Sequence, residues 1–231
     1  MTEAYGRQGA KPDLMPTVFA RACVDVLTVD GAGLSLTETL RVPLGSSDGL
    51  AARAEQVQTT LGEGPCLTAT ATARPLVVDL EAMAQRWPLF HREVVAVTPF
   101  RSVASIPFRV PSRSLAGALD LYSVDPAGAA SFASLAEINT GIVVPIASVL
   151  FGAPDDDPGV ARALPNWLEN DAAADRVNVW VAIGMLVERA RLESDDALSV
   201  LRAYAFSHGS TLDDVSLRLT SRELDPDDVL D

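Results

Sequence analysis

The chain has 231 residues, 48% of them apolar and 21% charged, with a formal net charge of −13. That content excludes the profile of a disordered chain, and the acidity argues against a general nucleic-acid binder, whose non-specific affinity comes from Lys and Arg neutralising phosphates. No apolar run reaches the ~18 residues of a membrane span and MTEAYGRQGAKPDLMP lacks a signal-peptide core, so a cytoplasmic protein without membrane contact is expected.

Residues 14 to 29 carry apolar residues at helical spacing and run into the turn signal Asp30-Gly31-Ala32-Gly33. GLSLTETLRVPL then reads as one or two short strands, and an Ala/Glu/Gln-rich helix follows near residues 50 to 60. Gly62-Glu63-Gly64-Pro65-Cys66 is a sharp punctuation, followed by a short Ala/Thr segment and the strand PLVVDL. A helix around 87 to 97 leads to the strands RSVASIPFRV and GALDLYSV, joined by a polar turn at 111 to 114. In the second strand Ala118, Asp120 and Tyr122 share one side while Leu119, Leu121 and Ser123 share the other, as in a strand with unlike faces. Residues 131 to 151 read as an apolar helix that must pack on something. These elements predict an α+β domain over 14–151, built on a mainly antiparallel sheet.

GAPDDDPG breaks the pattern with two prolines and three consecutive aspartates, marking a linker over 152–166. Beyond it the chain is all helical. Trp180, Ile183, Val187 and Ala190 repeat at the spacing of one helix face; Ala197, Leu198, Leu201 and Ala205 form a second set, and Leu212, Val215 and Leu219 a third. Ser194 and Thr211, each followed by acids, mark helix starts. Three helices over 167–223, followed by an acidic tail over 224–231, are the expectation. So small a core is marginal, so a stripe including Trp167, Val177 and Trp180 on the first helix is assigned to coiled-coil-like dimerisation.

The residues Ala182-Ile183-Gly184-Met185-Leu186, Asp196-Ala197 with Leu201-Arg202, Tyr204-Ala205, and Leu212 with Val215 resemble an ANTAR domain, a three-helix RNA-binding module of bacterial antitermination regulators. Upstream, Gly62-Glu63-Gly64-Pro65-Cys66, Pro75 to Leu80, Trp87-Pro88, Phe100-Arg101-Ser102 and Gly117 to Tyr122 look like an actinobacterial GAF domain. The pairing implies a non-enzymatic regulator: a GAF sensor for an unknown small molecule, and ANTAR helices that bind paired RNA stem-loops and prevent a terminator from forming. It implies an RNA surface of Ala182, Gly184, Met185, Arg189, Arg202, Tyr204, His208 and Arg218, and a ligand pocket of Cys66, Trp87, Phe100, Ser105 and Leu119. Many ANTAR domains carry a Lys where Ile183 stands. Residues 172 to 222 hold six arginines against seven acids, a near-neutral module, so a head that docks protein is the alternative.

Several features have two readings. A glycine inside a helix costs ~1 kcal/mol against Ala, so Gly184 serves either a close approach by RNA or another helix, or a crowded core. Arg202, Tyr204 and His208 suit stacking on unpaired bases; alternatively Tyr204 caps the core and Arg202 pairs with an acid such as Glu188 or Asp214. Cys66 is either a reactive thiol at a helix start or a small buried filler, and the filler reading is preferred. Cys23 and Cys66, without CxxC or a His/Cys cluster, give neither a disulfide framework nor a metal site, and no cofactor is expected.

Overall fold

The computed structural model describes residues 15–37, 40–110, 116–126, 128, 134–151 and 171–231. The 152–166 linker, the turn at 111–114 and Trp167 lie outside them.

Helix α1 (Met15–Val26) precedes strands β1 (Gly31–Thr37) and β2 (Arg41–Ser46), then α2 (Gly49–Leu61) and α3 (Pro65–Thr72). Strand β3 (Leu76–Asp79) leads into α4 (Leu80–Arg86) and α5 (Pro88–Val97), followed by β4 (Ser102–Arg109) and β5 (Ala116–Ser123). The sheet order is β2-β1-β5-β4-β3, and every neighbouring pair is antiparallel. An antiparallel sheet with flanking helices, followed by helices, is therefore the architecture of the chain.

Period-two alternation sends alternate residues of the central strands to opposite faces. Leu119, Leu121, Ala104 and Ile106 join Phe19, Cys23 and Ile146 in one core beneath α1 and the helices that follow β5. Tyr122 and Val103 join Met83, Trp87, Phe90 and Phe100 in the other, beneath α2, α4 and α5. In the middle strands Gly33 and Ser105 each pair with Asp120, so the three stand in a row across the sheet.

Three elements differ from expectation. PCLTATAT is helix α3, entered through Pro65 at its first turn, where proline's missing N–H costs nothing. LEAMAQR is helix α4, capped by Asp79, whose side chain accepts from the Ala82 N–H. The long helix expected over 131–151 is, from Leu135 on, interrupted: α6 (Leu135–Ile138) passes through a π turn (Asn139–Val143) into α7 (Val144–Phe151). Pro145 accounts for this, because its ring crowds the carbonyl one turn back and it has no N–H to give.

The C-terminal head contains α8 (Asp171–Ala190), α9 (Ser194–Ser207), α10 (Leu212–Thr220) and α11 (Pro226–Leu230). The buried sets on α9 and α10 are those the periodicity predicts. On α8 the phase differs: Val179, Ala182, Ile183 and Leu186 are buried, whereas Trp180 and Ala190 are exposed. Thr211 caps α10 through its hydroxyl, but Ser194 is the first helical residue of α9 rather than its cap. The expected acidic tail, 224–231, instead contains this fourth helix, α11, and places Leu224 and Val229 in the head core. The head core also takes in Leu40 of the α+β body, and hydrogen bonds tie head to body, among them Gln56 Nε2 to Asp213 Oδ2 at 2.7 Å and the Leu212 N–H to Thr60 Oγ1 at 3.2 Å. Among the described residues no helix is long and apolar enough to cross a membrane.

Candidate functional sites: a buried ion cluster and the outer face of the head

On the α2 face of the sheet the polar strand residues meet a charged cluster sealed from solvent. Arg41 is 1% exposed and Asp120 0%. The Arg41 guanidinium pairs with Glu55 and lies 3.3 Å from Asp120 Oδ2; it also donates to the Glu55 carbonyl, to Thr59 Oγ1 and, at 3.2 Å, to Cys66 Sγ. The Tyr122 hydroxyl donates to Glu55 Oε1, Ser105 Oγ donates to Asp120 Oδ1, and Gln58 Nε2 donates to Asp120 Oδ2. Gly33 makes this possible, because a Cβ there would lie inside contact distance of the Glu55 carboxyl. Gly64, at φ +138°, brings the chain against Gln58, whose Oε1 accepts the Cys66 N–H.

Of the expected pocket residues, Cys66 and Ser105 are in this cluster. Trp87 and Phe100 are in the apolar core beside it, Phe100 stacked on Tyr122 at 4.9 Å. Leu119 belongs to the core on the opposite face of the sheet. It faces away for the same alternation that turns Asp120 inward, so it cannot line a pocket shared with Cys66. The Glu63 carboxylate accepts the Phe90 N–H at the start of α5, a structural use of that side chain.

Two carboxylates and one guanidinium leave the cluster an excess anion. Burial, then the Glu55 carboxylate, pushes Asp120 from 3.8 up to about 7, against the opposing pull of Arg41. Burial likewise pushes the Cys66 thiol up to about 12 despite Arg41; a thiol held protonated is a poor nucleophile. Because Asp120 binds its proton more tightly folded than unfolded, its stabilising contribution is complete below about 4 and lost as pH rises through about 7. The stability difference between the wild type and Asp120→Asn should therefore change across that window, the wild type losing ground with rising pH. Urea unfolding at several pH values checks it; parallel curves for the two proteins would contradict the assignment.

The outer face of the head is built differently. Val177, Trp180 and Val181 on α8 are 61%, 47% and 48% exposed. Gly184 follows on the same face, and a Cβ there would meet none of the described residues within 4 Å, which counts against the crowded-core reading of this glycine. Leu217 of α10 is exposed as well, one turn before Thr220, whose hydroxyl donates to Asn178 Oδ1 of α8.

Compared with protein-family models, curated proteins and solved structures, the chain matches none.

The other expected RNA-facing residues are dispersed. Ala182 is fully buried in the head core, because α8 turns it inward with Val179 and Leu186, so its side chain cannot meet RNA. Arg202 packs against Gly62 of the body, whose added Cβ would lie 2.5 Å from Nη1, so its guanidinium is at the body–head seam and not on an outer surface. Arg189 is exposed but forms a two-pronged pair with Asp227 of α11. Tyr204 and His208 stack on each other at 4.0 Å, Met185 is half-buried, and Arg218 is exposed on the last turn of α10.

Arg41, Glu55, Gln58 and Asp120 were not among the expected site residues. The one available signal was Asp120, a carboxylate sharing a strand face with Tyr122. Its partners sit on four other elements, β2 (Arg41), α2 (Glu55, Gln58 and Thr59), α3 (Cys66) and β4 (Ser105), and the pairing of β2, β1, β5 and β4 with the packing of α2 and α3 on the sheet unites them.

Proposed function

We propose that the chain is a signal-responsive cytoplasmic regulator, a GAF-like sensor carrying an ANTAR-like head that binds paired RNA stem-loops and thereby controls transcription termination. The observation that carries the reading is the bare backbone at Gly184 within an exposed apolar helix face. A glycine costing ~1 kcal/mol in a mid-helix position is explained when RNA or a helix of a second copy approaches closely, and no described residue of the chain itself does. Arg218 and the Tyr204–His208 pair lie on helices of the same small head and supply a cation and aromatic rings for looped bases. Dimerisation through Val177, Trp180 and Val181 would present two such heads to two hairpins.

The test is binding of the purified chain to an RNA carrying two adjacent hairpins, against a loop-mutated control. A steep loss of affinity with added salt marks phosphate contact.

A second reading has its own observation. Arg189 is held by Asp227 and Arg202 faces the body, which leaves few outward cations on the head and suits a module that docks protein through its apolar face. The two readings diverge for Asp227→Asn. Releasing Arg189 should raise RNA affinity severalfold at low salt in the first reading; in the second, partner binding should not change.

A further inference from the structure

Between body and head lies a cavity of about 270 Å³, lined by Arg53, Val57 and Leu61 of α2, Val97 of α5, and Phe206 and Ser210 of the head, among others. Its walls are apolar and aromatic. Most of its polar groups are already engaged: Gln56 Nε2 donates to Asp213, Thr60 Oγ1 accepts the Leu212 N–H, Thr211 Oγ1 accepts the Asp214 N–H, and Glu93 pairs with Arg92 at 3.1 Å. The Gly209 and Ser210 N–H groups donate to the carbonyls of Phe206 and Ala205. Among the described residues Arg53 has no ion pair and the Ser210 hydroxyl no hydrogen bond; the guanidinium can only donate, and the hydroxyl can donate or accept. The Arg92 guanidinium lies 5.1 Å from the centroid of the Phe206 ring and offsets the Glu93 carboxylate.

We infer that this cavity is a binding site for a compact aromatic carboxylate, its ring against Phe206, Val57, Leu61 and Val97 and its carboxylate on Arg53 and Ser210. The size is slightly below that of drug-sized ligand sites, which run from ~300 Å³ upward, and suits one ring with a short acidic arm. The chemistry favours an anion because, of the two charged residues in the lining, Glu93 is paired with Arg92 whereas the Arg53 guanidinium, which can only donate, has no ion pair among the described residues, and a guanidinium–carboxylate contact is among the stronger hydrogen-bonded pairs. The ligand would touch α2, α5 and the α9–α10 turn together, so its binding would hold the head against the body by mass action. The sealed ion cluster occupies the face of the sheet beneath α2, whereas this site is on the outer side of α2. Binding here stands without the RNA reading; an effect on transcription rests on it.

The test uses the full chain, phenylacetate as probe and phenylacetamide as its neutral isostere, followed by amide NMR shifts. Phenylacetate should shift Gly209, Ser210 and Thr211 saturably, with the amide weaker by about tenfold or more. Arg53→Gln, at an exposed position, should reduce phenylacetate to the affinity of the amide, and Val97→Trp should fill the cavity and abolish both. No saturable shift at the α9–α10 turn, equal affinity for acid and amide, or an Arg53→Gln protein that binds as the wild type does would each overturn the site. Hairpin RNA binding, measured separately, is indifferent to these outcomes, so failure of the site and failure of the regulator reading are distinguishable.

Discussion

Arg41→Met is expected to lower the unfolding free energy by about 3–5 kcal/mol, because it strands the Glu55 and Asp120 carboxylates in the interior without their cation. Both carboxylates are within reach of that guanidinium, and all three side chains are at most 1% exposed. The loss should be far larger than for removing an exposed pair, where water screens what remains. Combining Arg41→Met with Glu55→Gln and Asp120→Asn should recover much of the stability, since the cost lies in the unpaired charges and not in the missing ion pair as such. Denaturant unfolding of the single and triple variants measures both; a single variant within about 1 kcal/mol of wild type would show that the guanidinium does not offset the carboxylates.

In the proposed dimer, Trp180→Asp is expected to leave the head folded and to weaken self-association at least about 100-fold, as loss of a central aromatic anchor does. Folding should survive because Trp180 is half-exposed and lies outside the head core, which is built from Val179, Ala182, Ile183 and Leu186 on the same helix. RNA affinity should fall with it, since two linked heads gain effective concentration that separate heads lack. Light scattering gives the mass and hairpin titration the affinity. A variant that keeps the dimer mass would remove Trp180 from the interface, and a monomer that binds RNA undiminished would remove the need for two heads.

Local pattern made much of the fold legible. Alternation in GALDLYSV placed Asp120 and Tyr122 together and Leu119 opposite them, as β5 does. The buried sets on α9 and α10 follow from their spacing alone. On α8 both faces carry large apolar residues, so the spacing fits two phases; which one is buried is decided by the packing of α10, α9 and α11 against it. Helices α3 and α4 are only eight and seven residues long, too short for a periodic signal. Asp225 and Pro226 of the supposed acidic tail are a helix cap and a first-turn proline, a local signal hidden by the charge around it.

The ion cluster was the least legible part, for a topological reason. Arg41, Glu55, Cys66 and Asp120 are separated by up to 79 positions, and no periodicity within one element could link them. The cavity between α2, α5 and the head depends on contacts of still longer range, such as Gln56 with Asp213.

The most direct test of the proposed regulator function is titration of the folded chain with an RNA of two adjacent hexanucleotide-loop hairpins at low and high salt, beside a loop-mutated control and the Asp227→Asn variant. The account predicts loop-dependent binding that weakens as salt rises and strengthens severalfold when Asp227 no longer holds Arg189. Absence of binding by both proteins, or equal binding to the loop-mutated RNA, would contradict it.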